Sequence, residues 1–271
     1  MDLDLQDLQK QFSVGGETIV ALNGVNLEVP DGQFVTVMGS NGAGKSTVLN
    51  TVAGALVVDS GKVTLGGRDI TRMSEHRRAR MIGRVFQDPR IGTAPALTVA
   101  ENIALAALRP KRRTLRRGVP SVLRAEVIER FERCGLDDLC DRLDQQVGTL
   151  SGGQRQAVSL LMATWEHPAL LLLDEHTAAL DPKRASEIMA LTARIQAESE
   201  LTVLMVTHDV DQAIAFGDRL IMMDRGRIID DIAGADKSAL TFESVIELFH
   251  KKGMSMDDRT VLRNEGGPDA S

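Results

Sequence analysis

The sequence predicts an α/β fold with a mostly parallel sheet covered on both faces, and three observations carry that expectation. Phe34 to Met38, FVTVM, is a short apolar, β-branched run that breaks at Gly39, so it reads as a buried strand ahead of a Gly-rich loop. Ala169 to Leu173, Thr202 to Val206 and Arg219 to Met223 have the same texture and read as further buried strands. Helical stretches separate them, notably Pro182 to Glu198, where Ile188, Met189, Leu191, Thr192 and Ile195 recur at helical spacing. Strands alternating with helices imply a layered α/β domain.

With 271 residues and 43% apolar content, the chain is long enough for one substantial domain with a smaller subdomain attached. From about Asp88 to Leu150 the texture changes: Thr98 to Leu108 is apolar and helical, RPKRRTLRRG follows, and Arg124 to Cys134 is amphipathic. This reads as a helical subdomain inserted between two halves of the sheet. From about Gly253 the chain is polar and aperiodic, which predicts a loose tail. A formal charge of −6 argues against a general nucleic-acid binder. The longest apolar runs fall far short of the roughly 20 residues that a membrane span needs, so a soluble protein is expected. The start, MDLDLQDLQK, is acidic where a secretory signal is basic and then apolar, so export is not expected. Cys134 and Cys140 read as reduced core thiols.

Gly39, Ser40, Asn41, Gly42, Ala43, Gly44, Lys45, Ser46 and Thr47 fit G-x-x-x-x-G-K-[ST] with a strand before and a helix after. Glycines are needed there because side chains would keep the backbone from wrapping phosphates, and the successive N–H groups then point into one concavity. The helix start adds the positive end of its dipole. Lys45 would reach the β- and γ-phosphates, and Ser46 would bind Mg²⁺.

Such a loop requires an acid for its metal ion. Asp174 ends a buried strand, where open α/β sheets place their ligand sites; it would hold Mg²⁺ or its water shell, and Glu175 would position or deprotonate the attacking water. Leu150-Ser-Gly-Gly-Gln154 precedes a helical run, Arg155 to Trp165, which predicts a second anion site at a helix N-terminus.

With these residues in view the chain resembles the nucleotide-binding ATPase subunit of ABC transporters, from about Leu5 to Phe249. The matching pieces are Phe12, GSNGAGKST, Gln87 in VFQDP, LSGGQ, LLLLDE, AALD at Ala178 to Asp181, and His208 in VTHD. The resemblance implies an ABC ATPase fold, a P-loop NTPase core with an N-terminal antiparallel β region. Residues 1–252 would form one such domain, with 1–87 and 160–252 as the core and 88–159 as the helical subdomain, and 253–271 a flexible tail. It further implies a head-to-tail homodimer in which each ATP lies between one copy's phosphate loop and the other's Ser151, Gly152, Gly153 and Gln154. Phe12 would stack on adenine, Gln87 would touch Mg²⁺ and the attacking water, His208 would contact the γ-phosphate, and Asp181 would line the dimer seam.

The implied setting is the inner face of the plasma membrane, with separate transmembrane permease subunits and an extracytoplasmic solute-binding protein, and without nucleic acid. The short linker DQQVGT, Asp144 to Thr149, favours an importer, and DEHTAALDP with LLMATWEHP resembles the ATPases of amino-acid-like solute uptake. The competing reading is a soluble ABC ATPase acting on nucleic acid or ribosomes. Six Lys or Arg residues between Arg109 and Arg117 read as a solvated loop, with contact to anionic lipid or to the membrane partner as the functional alternative. His176 occupies a position where relatives are expected to carry proline. Metal binding would need more ligands than His167 and His176 supply, which leaves a structural role or a protonation near neutral pH that tunes Glu175 or the dimer seam.

Overall fold

The computed structural model describes residues 1–109 and 119–252. The expected tail, 253–271, and all of the basic segment except Arg109 lie outside the described residues. The chain divides into two compact units, Met1–Met73 with Leu204 onward, and Ser74–Val203.

The first unit contains an antiparallel sheet in the order β2-β1-β4-β5, built from β1 (Leu3–Val14), β2 (Glu17–Val29), β4 (Ser60–Leu65) and β5 (Arg68–Asp69). This is the antiparallel region that the resemblance implies. A second sheet has β3 (Phe34–Gly39) parallel to β9 (Arg219–Asp224), and β9 antiparallel to β10 (Arg227–Ala233). On the other side of β3 runs β8 (Thr202–Val206), whose Leu204, Met205 and Val206 belong to this unit. β3, β8 and β9 are buried almost throughout, as strands covered on both faces must be. Among the described residues the unit also holds α1 (Lys45–Ala53), α9 (Val210–Ala215), α10 (Gly234–Ser238) and α11 (Phe242–Lys251). Val245 and Phe249, four residues apart on one face of α11, join Met38, Leu220 and Met222 in a single apolar cluster.

The second unit contains α2 (Glu75–Arg78), β6 (Ile82–Val85), α3 (Pro89–Gly92), α4 (Val99–Ala107), α5 (Ser121–Arg133), α6 (Asp137–Cys140), α7 (Gly152–Thr164), β7 (Leu170–Asp174) and α8 (Pro182–Ser199). β6 runs parallel to β7, in register from Ile82 opposite Leu170 to Val85 opposite Leu173. Gly83 is required where β6 passes α7, since a Cβ there would lie 2.4 Å from the Ala163 carbonyl oxygen. The end of α7 is held by Arg130 of α5, which lies over the Trp165 ring at 4.9 Å and donates to the carbonyls of Thr164 and Trp165. The linker before LSGGQ is pinned to the start of α4 by Val99 N–H to Gln145 O and Val147 N–H to Leu97 O.

Three expected strands appear within one residue of their bounds, and Thr202–Val206 matches at both ends. The helix expected from Arg155 starts earlier, at Gly152, because Ser151 caps it there. Cys134 and Cys140 are free thiols, and burial pushes both above the ordinary thiol range, so they stay protonated at neutral pH. Among the described residues no helix is long and apolar enough to cross a membrane.

Candidate functional site

In the first unit, β3 delivers the chain to the phosphate loop and α1 receives it. Gly39 pairs with Met223 of β9, and a Cβ on it would lie 2.2 Å from the Met223 carbonyl oxygen. Gly44 stands at the N-cap of α1 with φ 102°, and a Cβ there would meet Ala21 O at 2.5 Å. Ser40 Oγ donates to Asp224 Oδ1 at 3.2 Å, and Ala43 N–H closes the turn onto Ser40 O at 3.1 Å. Lys45 is buried; its Nζ donates to Gly39 O at 2.7 Å and Ser40 O at 2.9 Å, so the ammonium lies across the loop that launches it. Asn41, Gly42 and Ser46 are exposed, and Thr47 is half-buried.

The same unit carries Phe12 and His208. Phe12 is half-buried on β1 opposite Ile19, with Lys10 Nζ 5.7 Å from its ring centre. His208 is half-buried and follows β8, between Thr207, whose N–H donates to Val37 O of β3, and Asp209, whose side chain caps α9.

The second unit carries the remaining residues. Asp174 closes β7, and its Oδ2 accepts from Arg84 Nη2 of β6 at 3.3 Å. The pleat explains this meeting: Arg84 is level with Leu172, so Arg84, Phe86 and Asp174 share one face of the strand pair. Arg84 also lies over the Phe86 ring at 4.5 Å. The sequence reading did not single out Arg84. Its signal was a cation inside the apolar run IGRVF, which demands an anion nearby. Gln87 is exposed just past β6, and the carbonyl of the preceding Phe86 accepts from the buried Gln156 Nε2 of α7 at 3.3 Å. Gln156 therefore ties the helix that follows LSGGQ to the strand that leads into Gln87, a link the sequence reading also missed.

Ser151 and Gln154 form a capping box on α7: Ser151 Oγ accepts from Gln154 N–H at 3.3 Å, and Gln154 Oε1 accepts from Ser151 N–H at 3.1 Å. Gly152 and Gly153 pack against the β7–α8 loop and α8. Added Cβ atoms would lie 3.4 Å from Leu180 and 3.1 Å from Arg184. Asp181 is exposed and caps α8, accepting from Arg184 N–H at 3.1 Å, with Pro182 in the first helical turn.

Between Asp174 and Asp181 lie Glu175 and His176. Glu175 is half-buried and has φ 46°, a left-handed conformation unusual for a residue with a side chain. His176 is 2% exposed, and its Nε2 meets Thr192 Oγ1 at 3.3 Å. Since Thr192 gives its one proton to Ile188 O at 2.8 Å, the imidazole is the donor and carries its proton on Nε2. Burial pushes the His176 pKa down to about 4, so the ring is neutral throughout the pH 6–8 range. This corrects the expectation of a protonation near neutral pH; the structural role remains.

The residues present fit a nucleotide with its metal ion. No side chain caps the start of α1 and no acid stands in its first turn, the arrangement that suits a phosphate. Among the described residues no group of three or more His, Cys, Asp or Glu could hold a metal by itself. Taken singly, the hydroxyl of Ser46 in the first unit and the amide of Gln87 and carboxylate of Asp174 in the second are oxygen donors of the kind Mg²⁺ takes alongside phosphates and water.

The family model described as ABC transporter matches residues 22–178. A tyrosine transport ATP-binding protein from Clostridioides difficile (strain R20291) is 41% identical over 248 residues, covering 91% of this chain and 98% of that relative. A phosphonates import ATP-binding protein from Synechococcus sp. is 37% identical over 234 residues, covering 84% of each. Among solved structures, a dimeric ATP-binding cassette in a post-hydrolysis state bound to ADP and Pi is similar with a TM-score of 0.73 and 32% identity, over 85% of this chain and 98% of that one. An ATP-binding cassette of an ABC transporter in its ADP conformation gives a TM-score of 0.75 at 28% identity, over 92% and 99%.

Proposed function

Since the chain belongs to the ABC transporter family, we propose that this ATPase is the energy-coupling subunit of an importer for a small amino-acid-like solute, and that it works as a head-to-tail homodimer. The observation that carries the reading is the loop Gly39 to Thr47, with left-handed glycines at 42 and 44 feeding an uncapped helix start. The importer reading is supported by the tyrosine transport relative, which the chain matches over nearly its whole length.

Backbone N–H groups of the loop and the Lys45 ammonium bind the ATP phosphates, and Phe12 stacks on the adenine. Ser46, Gln87 and Asp174 would hold Mg²⁺, which would supply charge neutralisation for the phosphates. Glu175 takes the proton of the attacking water, and His208 donates to a γ-phosphate oxygen. The opposing copy's Ser151, Gly152, Gly153 and Gln154 cover the same nucleotide, and Asp181 lines the seam. Closure then depends on the γ-phosphate, and its cleavage reopens the dimer. Separate transmembrane permease subunits convert that opening into transport, the chain sits on the inner face of the membrane, and an extracytoplasmic solute-binding protein delivers the solute. Nucleic acid has no part in this cycle.

Glu175→Gln tests the chemical assignment. The variant is expected to bind ATP as the wild type does, to accumulate as a nucleotide-bound dimer on size exclusion and to lose turnover at least about 100-fold. Hydrolysis at the wild-type rate removes Glu175 from the base role. Lys45→Ala is expected to weaken ATP binding itself, and undiminished affinity would overturn the loop assignment.

A further inference from the structure

His176 has no part in the chemistry above, yet it directly follows the residue assigned as the base. Glu175 stands at φ 46°, where its β-carbon crowds its own backbone, so the flanking structure has to hold it there. Upstream, Leu173 is the last residue paired in the β6–β7 ladder, and the Asp174 that follows it accepts from Arg84. Downstream, the chain turns at once: Ala178 N–H donates to Glu175 O at 3.0 Å and Leu180 N–H to Thr177 O at 3.1 Å, before Asp181 caps α8.

Within this turn His176 is buried, and its ring N–H reaches Thr192 in the interior of α8; Thr192 is itself fully buried and passes its proton to Ile188 O. The turn is thus fastened to α8 at both ends, at His176 and at Asp181. Freed at the His176 end, Glu175 would return to a right-handed or extended backbone, and the Cα–Cβ bond that aims its carboxyl would swing away. We propose that the His176–Thr192 hydrogen bond is a buried anchor that holds Glu175 in its left-handed conformation, which makes His176 and Thr192 positioning residues for the hydrolysis step. The inference rests on the reading of Glu175 as the base.

The test uses the purified full chain and four single variants. Thr192→Val and His176→Ala remove one partner each. Thr192→Ser keeps the hydroxyl, and His176→Gln keeps a donor near the position of Nε2. The anchor predicts that Thr192→Val and His176→Ala each lower kcat about tenfold while KM for ATP and binding of a fluorescent ATP analogue stay within about twofold, because a misplaced catalytic group costs rate and leaves ground-state binding intact. Thr192→Ser and His176→Gln are expected to retain most of the rate, and the His176→Ala/Thr192→Val double variant is expected to be no slower than either single one. A crystal structure of Thr192→Val should show Glu175 outside the left-handed region. A wild-type kcat in Thr192→Val, or single losses that multiply in the double variant, would overturn the anchor. Should His176→Ala fail to fold, the Thr192 pair decides alone. Failure of the underlying reading looks different: Glu175→Gln would then hydrolyse ATP normally, whereas a dead Glu175→Gln beside a fully active Thr192→Val refutes only the anchor.

Discussion

At the residue scale, burial decides what His176 can do. The folded pKa of about 4 lies below the ordinary value of 6.5, so the unfolded chain takes up a proton that the native site refuses. The contribution to stability is complete above about pH 6.5 and is lost as pH falls toward 4, at up to about 1.4 kcal/mol per pH unit. Urea unfolding between pH 7 and 4.5 should show the wild type losing stability relative to His176→Leu, and a constant difference across that range would contradict it. Arg84 and Asp174 offer a second case. Arg84→Met leaves a half-buried carboxylate without this cation and is expected to cost about 2 kcal/mol, most of which should return when Asp174→Asn removes the charge. None of this pairing was legible from motifs, because a motif names the acid but not the neighbouring strand that neutralises it. The partners are 90 residues apart in the chain.

At the element scale, apolar runs placed the buried strands to within a residue, whereas the start of α7, expected at Arg155, was placed three residues late. Ser151 and Gln154, spaced three apart ahead of an apolar stretch, mark the start of α7, and both halves of the capping box form. Ser151→Ala should therefore lower the unfolding free energy by about 1 kcal/mol in denaturant melts, apart from any effect on nucleotide. β6 escaped the sequence reading because four residues that include a glycine and an arginine carry no period, and only β7 beside them makes a strand. α11, by contrast, carries local signals, a Thr241–Ser244 capping box and the buried pair Val245 and Phe249 on one face, and its apolar face is completed by packing. Phe249 is 2% exposed in the cluster with Met38, Leu220 and Met222, and Phe249→Ala is expected to destabilise the protein by about 3 kcal/mol, as measured by urea unfolding.

At the scale of the whole molecule, a head-to-tail dimer makes a prediction that a self-contained site does not. Lys45→Ala damages a copy's own loop, while Ser151→Glu damages the surface it offers to the other copy. In a mixed dimer of the two variants one site collects both lesions and the other collects neither. Mixing two inactive preparations should therefore restore ATPase activity that neither shows alone. If each copy carried a complete site, the mixture would give only the average of the two.

The sequence by itself determined the loop, the LSGGQ cap, the acidic pair after LLLL and their order along the chain. Each is a local pattern whose meaning follows from backbone geometry within a few residues. Only the tertiary structure decided that Arg84 would face Asp174, that Gln156 would hold the carbonyl before Gln87, and that His176 would be sealed against Thr192 of α8. These contacts join residues that the sheet register and the helix packing bring together. The same burial that made His176 a structural donor removed it from titration near neutral pH, which no spacing in the sequence could show.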